Sequence, residues 1–244
     1  MLALALAPLP PTLVVDRYVV GARVGGKWSP VEIGKGWKSR PPATLREIGV
    51  GRLGQTFSAR FTDEEVPQGV YLAGDRSIEN GILIGGATPR VPRRTTELPK
   101  VSTVYAGVLR RYLDTHGLKG AKTRITRIVQ VDLDGDGTRE ILIEARNRDD
   151  LDSRGLTVNF GPTDYSVVLL RALRGGRVTE TALAPGRTPA ADGLVRKLRA
   201  IADVDGDGRM EVVLSYSAWE AFGGALWNYR AGTPRLLVED GSGV

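Results

Sequence analysis

The chain has 244 residues, 34 Lys and Arg against 28 Asp and Glu for a formal charge of +6, 41% hydrophobic residues and no cysteine. That length and apolar content suit one or two domains with a real core, and no apolar run approaches the twenty residues of a membrane-spanning helix, so neither a disordered nor a transmembrane chain fits. Missing cysteines exclude disulfide scaffolds, thiolate metal sites and cysteine nucleophiles, and a single histidine, His116, leaves little room for a zinc cluster or a His-based triad.

Residues 1–14 begin MLALALAPLPP, with Ala5-Leu6-Ala7 before Pro8, and resemble the end of a signal peptide without its basic start. This predicts a signal-peptide remnant and a secreted or cell-envelope protein; the competing reading is an apolar tail. Residues 15–87 read as an N-terminal β region. Two β-branched runs around Gly25-Gly26-Lys27 predict a hairpin, Lys35 to Pro42 a loop, and the alternation Gln55 to Phe61 a half-buried strand. Short strands are expected at Gly69 to Ala73 and Gly81 to Ile84. Residues 88–99, rich in Pro and Arg, read as a linker before a second region, 100–244.

That region opens with helical spacing at Val101, Val104, Tyr105, Val108, Leu109 and Tyr112, an apolar stripe that needs a sheet to cover. His116 and Gly117 form the predicted stop, with His116 as a cap rather than a catalytic group. The remainder repeats at an offset of 71 residues, aligning Asp132 with Asp203. Each unit reads as strand, acidic loop and three more strands: Glu140 to Glu144, Tyr165 to Leu170 and Arg177 to Leu183 in the first, Glu211 to Ser215, Ala225 to Tyr229 and Arg235 to Val238 in the second. That is the content of one propeller blade. The predicted class is mainly β (α+β): antiparallel sheets, two blade-like repeats and one amphipathic helix beside the N-terminal β region.

The acidic loops carry the chemistry. Asp132, Asp134 and Asp136, then Gly137, Thr138 at position 7 and Glu140 at position 9, are matched by Asp203, Asp205, Asp207, Gly208, Arg209 and Glu211. Alternate carboxylates in a tightly curled loop converge on one centre, and hard oxygen donors in this number favour Ca²⁺ over Mg²⁺. Position 7 needs only its backbone carbonyl, so Arg209 is tolerated there. An EF-hand requires a bidentate Glu at position 12, where this chain has Ile143 and Leu214 in β-branched runs. A single loop of this kind also suits a surface turn held by Asx hydrogen bonds. Two in register, each with its ninth-position acid, favour a metal.

At D-L-D-G-D-G-T-R-E and D-V-D-G-D-G-R-M-E, each followed by an apolar strand, residues 124–244 resemble the FG-GAP/VCBS class of calcium-binding repeats found in integrin α propellers and bacterial exported proteins. The resemblance implies one Ca²⁺ held by Asp132, Asp134, Asp136, the Thr138 carbonyl and Glu140, and another by Asp203, Asp205, Asp207, the Arg209 carbonyl and Glu211. Glu stands where the class more often has Asp at position 9. The function implied is calcium-dependent structural or binding work.

Two other readings stay open. Asp149, Asp150 and Asp152 are candidates for an acid–base pair of a carbohydrate-active hydrolase, with Trp28, Trp37, Trp219 and Trp227 stacking on sugars; the plainer account is a polar loop and core tryptophans. Arginine supplies 27 of the 34 basic residues, and Arg90, Arg93, Arg94, Arg110 and Arg111 suggest a basic edge for an anionic polymer or cell-surface ligand. Nucleic acid is not expected, because no basic run points to it.

Overall fold

The computed structural model describes residues 8–33, 35–62, 69–72, 81–148, 160–184, 193–218 and 221–243. The N-terminal region contains β1 (Thr12–Val15), β2 (Tyr18–Val24), β3 (Lys27–Ser29), a single helical turn α1 (Lys35–Lys38), β4 (Ala43–Gly49), β5 (Arg52–Thr62), β6 (Gly69–Leu72) and β7 (Ile82–Gly85). The order β1-β7-β4-β5-β6-β2, with β2 pairing back to β1, closes a six-stranded antiparallel ring, and β3 hangs on β2. The β2–β3 turn needs left-handed backbone at both central residues, and Gly25 (φ 58) and Gly26 (φ 82) supply it.

Three differences from the sequence reading have physical causes. The segment TLVV of β1 is apolar at successive positions because both its faces are covered. Val14 packs with Val19, Leu45 and Leu83 on one side, while Leu13 and Val15 pack with Val20 and Ile84 on the other. Thr12, Leu13 and Val14 are therefore core strand residues; residues 1–7 lie outside the described residues. β4 carries no simple apolar run in the sequence, because its polar Thr44, Arg46 and Glu47 interrupt it. One helical turn occupies the start of the expected Lys35–Pro42 loop, seating Trp37 edge-on against Phe61 with ring centroids 5.0 Å apart.

The second region contains β8 (Thr96–Glu97), α2 (Thr103–Thr115), β9 (Ile125–Val131), β10 (Glu140–Arg146), β11 (Ser166–Arg174), β12 (Arg177–Ala182), β13 (Val195–Ala202), β14 (Glu211–Ser217), β15 (Ala221–Arg230) and β16 (Thr233–Gly243). The two repeats form separate up-and-down antiparallel sheets, β9 to β12 with β8 on its edge, and β13 to β16. The expected strands are all present, and the fold is mainly β. Ile143 and Leu214, at position 12 of the acidic loops, are buried inside β10 and β14, so neither loop is an EF-hand.

Helix, two sheets and ring stack in layers. Val108, Leu109 and Leu113 of α2 pack on Ile141, Ile143 and Leu169. The opposite face of that sheet, Val129, Leu142 and Val168, meets Leu198, Val212 and Trp227 of the second sheet. The far face of the second sheet, Ala200, Val213 and Leu226, meets Leu13, Val15 and Ile84 of the ring. Each central strand is thus apolar on both faces, as period-two geometry requires.

The helix begins later than its predicted stripe. Ser102 caps it, its Oγ accepting from the Tyr105 N–H, and Val101 and Val104 are exposed at 95% and 60%. The stop is as expected. Gly117 adopts φ 79, the Leu118 N–H donates to the Leu113 carbonyl, and His116 Nδ1 lies 2.7 Å from the Tyr112 carbonyl.

Residues 88–99 do not behave as a linker. Arg90 pairs by backbone with Asp203 in both directions at 2.9 Å, and Thr96–Glu97 pairs with β9 as β8. The prolines and lack of periodicity suggested a tether; the segment is a strap laid across both repeats.

Candidate metal centre

Each acidic loop leaves the end of one strand and feeds the next: β9 to β10 in the first repeat, β13 to β14 in the second. Position 1 closes the loop. Asp132 Oδ1 and Oδ2 accept from the Gly135 and Gly137 N–H groups at 2.7 and 3.1 Å, and Asp203 does the same from Gly206 and Gly208 at 2.7 and 3.1 Å. Thr138 donates its N–H to Asp136 Oδ1 at 2.6 Å and Arg209 to Asp207 Oδ1 at 2.8 Å. The ninth-position acids turn inward, Glu140 Oε2 accepting from the Leu133 N–H at 2.9 Å and Glu211 Oε2 from Val204 at 3.0 Å. Gly135 and Gly137 (φ 83 and 87), like Gly206 and Gly208 (82 and 86), occupy the left-handed region that this curl demands.

Carboxylates converge in both loops. Asp132, Asp134 and Asp136 in the first, and Asp203, Asp205 and Glu211 in the second, place carboxylate oxygens within 4.8 Å of one another. A carboxylate oxygen that accepts one N–H keeps further lone-pair capacity, so these backbone bonds orient the groups without consuming them as ligands. The sets differ: Glu140 lies outside the first cluster, and Asp207, outside the second, pairs with its neighbour Arg209 at 2.9 Å.

Glu140 and Glu211 are 1% and 2% exposed. Burial foremost, opposed by the Leu133 N–H and reinforced by Asp134 and Asp136, pushes the Glu140 carboxyl up to about 7. Burial likewise raises Glu211 to about 8, against the pull of the Val204 N–H and with Asp205, Asp207 and Asp203 adding to it. Desolvated carboxylates crowded by like charges favour the neutral form until a cation arrives. The donor set is all oxygen and rich in negative charge, and it fits a hard divalent ion.

Several residues that shape the site carry no motif. The Arg93 guanidinium donates to the Asp132 carbonyl at 2.6 Å and the Leu133 carbonyl at 2.9 Å. The Leu133 carbonyl also receives the Met210 N–H at 2.8 Å, joining the second loop to the first. Tyr229 of β15 hydrogen-bonds Glu140, and its hydroxyl is driven up to about 12, by burial first and then by Glu140, Asp134 and Asp136. Arg23 of the ring pairs with Asp205 at 3.3 Å. One of these had a trace in the sequence: position 8 is Arg139 in the first repeat and Met210 in the second, an apolar exchange that fits Met210's complete burial.

The other sequence candidates are dispersed. Asp149, Asp150, Asp152 and Trp219 lie outside the described residues. Trp28 and Trp227 are buried in two different cores, and Trp37 packs on Phe61, so these three form no common sugar platform. Of the arginines expected to form a basic edge, Arg90 bonds an acidic loop through its backbone and Arg93 through its guanidinium, Arg110 pairs with Asp114, Arg111 pairs with Glu180, and Arg94 is exposed. No helix among the described residues is long and apolar enough to cross a membrane. No family model, curated protein or solved structure matches the chain.

Proposed function

We propose that the chain is a calcium-clamped structural or binding protein of the FG-GAP/VCBS type, exported or at the cell surface, with one Ca²⁺ in each acidic loop. The carrying observation is that the same backbone hydrogen bonds to the first aspartate close both loops, and that each loop brings three carboxylates within 4.8 Å of one another. Asp132, Asp134, Asp136, the Thr138 carbonyl and Glu140 would hold one ion; Asp203, Asp205, Asp207, the Arg209 carbonyl and Glu211 the other. The ions would supply charge neutralisation and cross-linking of loop to strand. The two four-stranded meanders, packed face to face, support a blade-like assignment of the repeats. Extracellular calcium modules work in the range of about 10⁻⁴ to 10⁻³ M, which suits a permanent clamp rather than a sensor.

At about one hundred times its dissociation constant, each ion adds roughly 2.7 kcal/mol to folding stability. Millimolar Ca²⁺ should therefore raise the melting temperature and EDTA lower it, while Asp134→Ala combined with Asp205→Ala removes the response. A wild-type melting temperature indifferent to both additions defeats the assignment.

A further inference from the structure

The acidic loops share their end of the molecule with three hairpin turns, β2–β3, β11–β12 and β15–β16. β11 runs past the start of β10, where Ile141 faces Arg171, and turns at Gly175-Gly176 into β12. β15 likewise runs past Val212, which faces Trp227, and turns at Ala231-Gly232 into β16. The β2–β3 turn reaches the same end, because Arg23 beside it pairs with Asp205 at 3.3 Å. The β11–β12 and β15–β16 turns are neighbours, with the Arg174 stem lying against Gly232.

All three turns carry unpaired cations. Arg174 and Arg177 face each other across the β11–β12 turn, Arg230 and Arg235 flank the β15–β16 turn, and Lys27 follows Gly25-Gly26. These five side chains are exposed, and among the described residues none has a hydrogen-bond or ion-pair partner. Like charges directly opposed on an antiparallel pair are destabilising, and neither 173–179 nor 229–236 contains an acid to offset them. Beside the cations stand exposed aliphatic groups. Leu173 and Val178, 48% and 41% exposed, adjoin the arginine pair, Leu236 at 37% follows Arg235, and Val24 at 63% faces Lys27.

We propose that this end of the molecule docks on an anionic lipid surface, the cations meeting headgroup phosphates and the aliphatic groups entering the boundary beneath them. Basic side chains are drawn to an anionic leaflet, and buried apolar area adds to that attraction. Guanidinium forks match phosphate oxygens. A soluble acidic polymer would use the cations alone and leave the aliphatic groups in water. Because each turn is only two residues long and springs from a sheet, little ordering is needed on contact. The eight loop carboxylates stand at the same end and oppose anionic headgroups, and two Ca²⁺ would cancel four of those charges. That contribution rests on the calcium reading, whereas the turn residues do not depend on it.

The test is cosedimentation of the full chain, in millimolar Ca²⁺, with vesicles of phosphatidylcholine containing phosphatidylglycerol. Phosphatidylcholine vesicles are the control, and heparin is the soluble acidic polymer. Binding to the phosphatidylglycerol vesicles alone is expected. Arg174→Gln with Arg177→Gln should weaken it at least about tenfold, and added salt should weaken it further. Leu173→Ser with Val178→Ser should weaken it about fivefold at unchanged net charge. Should either pair fail to fold, Val24→Ser on the separate β2–β3 turn is expected to weaken binding about threefold. Repetition in EDTA separates the two readings: wild-type binding that EDTA leaves unchanged and the turn variants lose keeps the lipid surface and removes only the calcium contribution. Binding to neither vesicle, binding that survives the turn substitutions in a folded protein, or capture by heparin without vesicle binding overturns the proposal.

Discussion

Gly137 and Asp205 show how single residues set the properties of the acidic loops. Gly137 has φ 87, and the space a Cβ would occupy there has no neighbour within 4 Å, so Gly137→Ala meets backbone strain alone. The expected loss is about 1–2 kcal/mol in denaturant unfolding of the calcium-free protein. Gly135→Ala should cost more, because Arg93 stands 3.1 Å from the new carbon. Equal stability of Gly137→Ala and wild type would mean that the loop does not hold its left-handed turn in solution. Asp205 carries the cation Arg23 at 3.3 Å, a contact that opposes a second positive charge at the same carboxylate. Removing it by Arg23→Gln should strengthen calcium binding at the second loop about fivefold, equivalent to ~1 kcal/mol for such a partly exposed pair. Weaker binding in that variant would show that Arg23 supports the loop's geometry more than it competes with the ion.

At the level of elements, legibility followed periodicity. The strands after each acidic loop and the stop of α2 could be read because a 71-residue repeat and a 3.6-residue stripe both leave marks in one sequence. β1 and β8 could not. The first is apolar on both faces and resembled a leader; the second, Thr96–Glu97, is two residues long and exists only because β9 offers an edge. The metal ligands were legible from spacing, whereas Arg23, Arg93 and Tyr229 reach the loops from distant elements and depend on tertiary packing. The turn entering β11 (Ser166–Arg174) is another case. Asp164 accepts from the Gly161 N–H at 2.8 Å, Arg148 at 2.7 Å and Asn147 at 3.2 Å. Burial alone would raise its carboxyl, but these donors outweigh burial and hold it below the ordinary 3.8. A depressed folded-state value means that its contribution is complete above 3.8 and vanishes as pH falls through the lower folded value. Asp164→Asn should therefore be less stable than wild type in urea at about pH 7, and the gap should narrow as the pH falls below 3.8. A gap of constant size would place the effect in packing rather than in charge.

Across the whole molecule, the layers explain why the acidic loops sit where they do. Helix, two sheets and ring share continuous apolar contacts, and the strap from Arg90 to Glu97 ties both loops to one another from outside. With the Met210 N–H on the Leu133 carbonyl, the loops lie side by side at one end of the stack. Two bound divalent ions would add four charges to the formal +6 of the chain, all of them at the acidic loops. The most direct measurement is the number of calcium ions bound per chain, counted by equilibrium dialysis against millimolar Ca²⁺ for wild type, Asp134→Ala and Asp205→Ala. Two ions for the wild type and one for each variant are predicted; no bound calcium in the wild type, or a count that neither substitution lowers, contradicts the account.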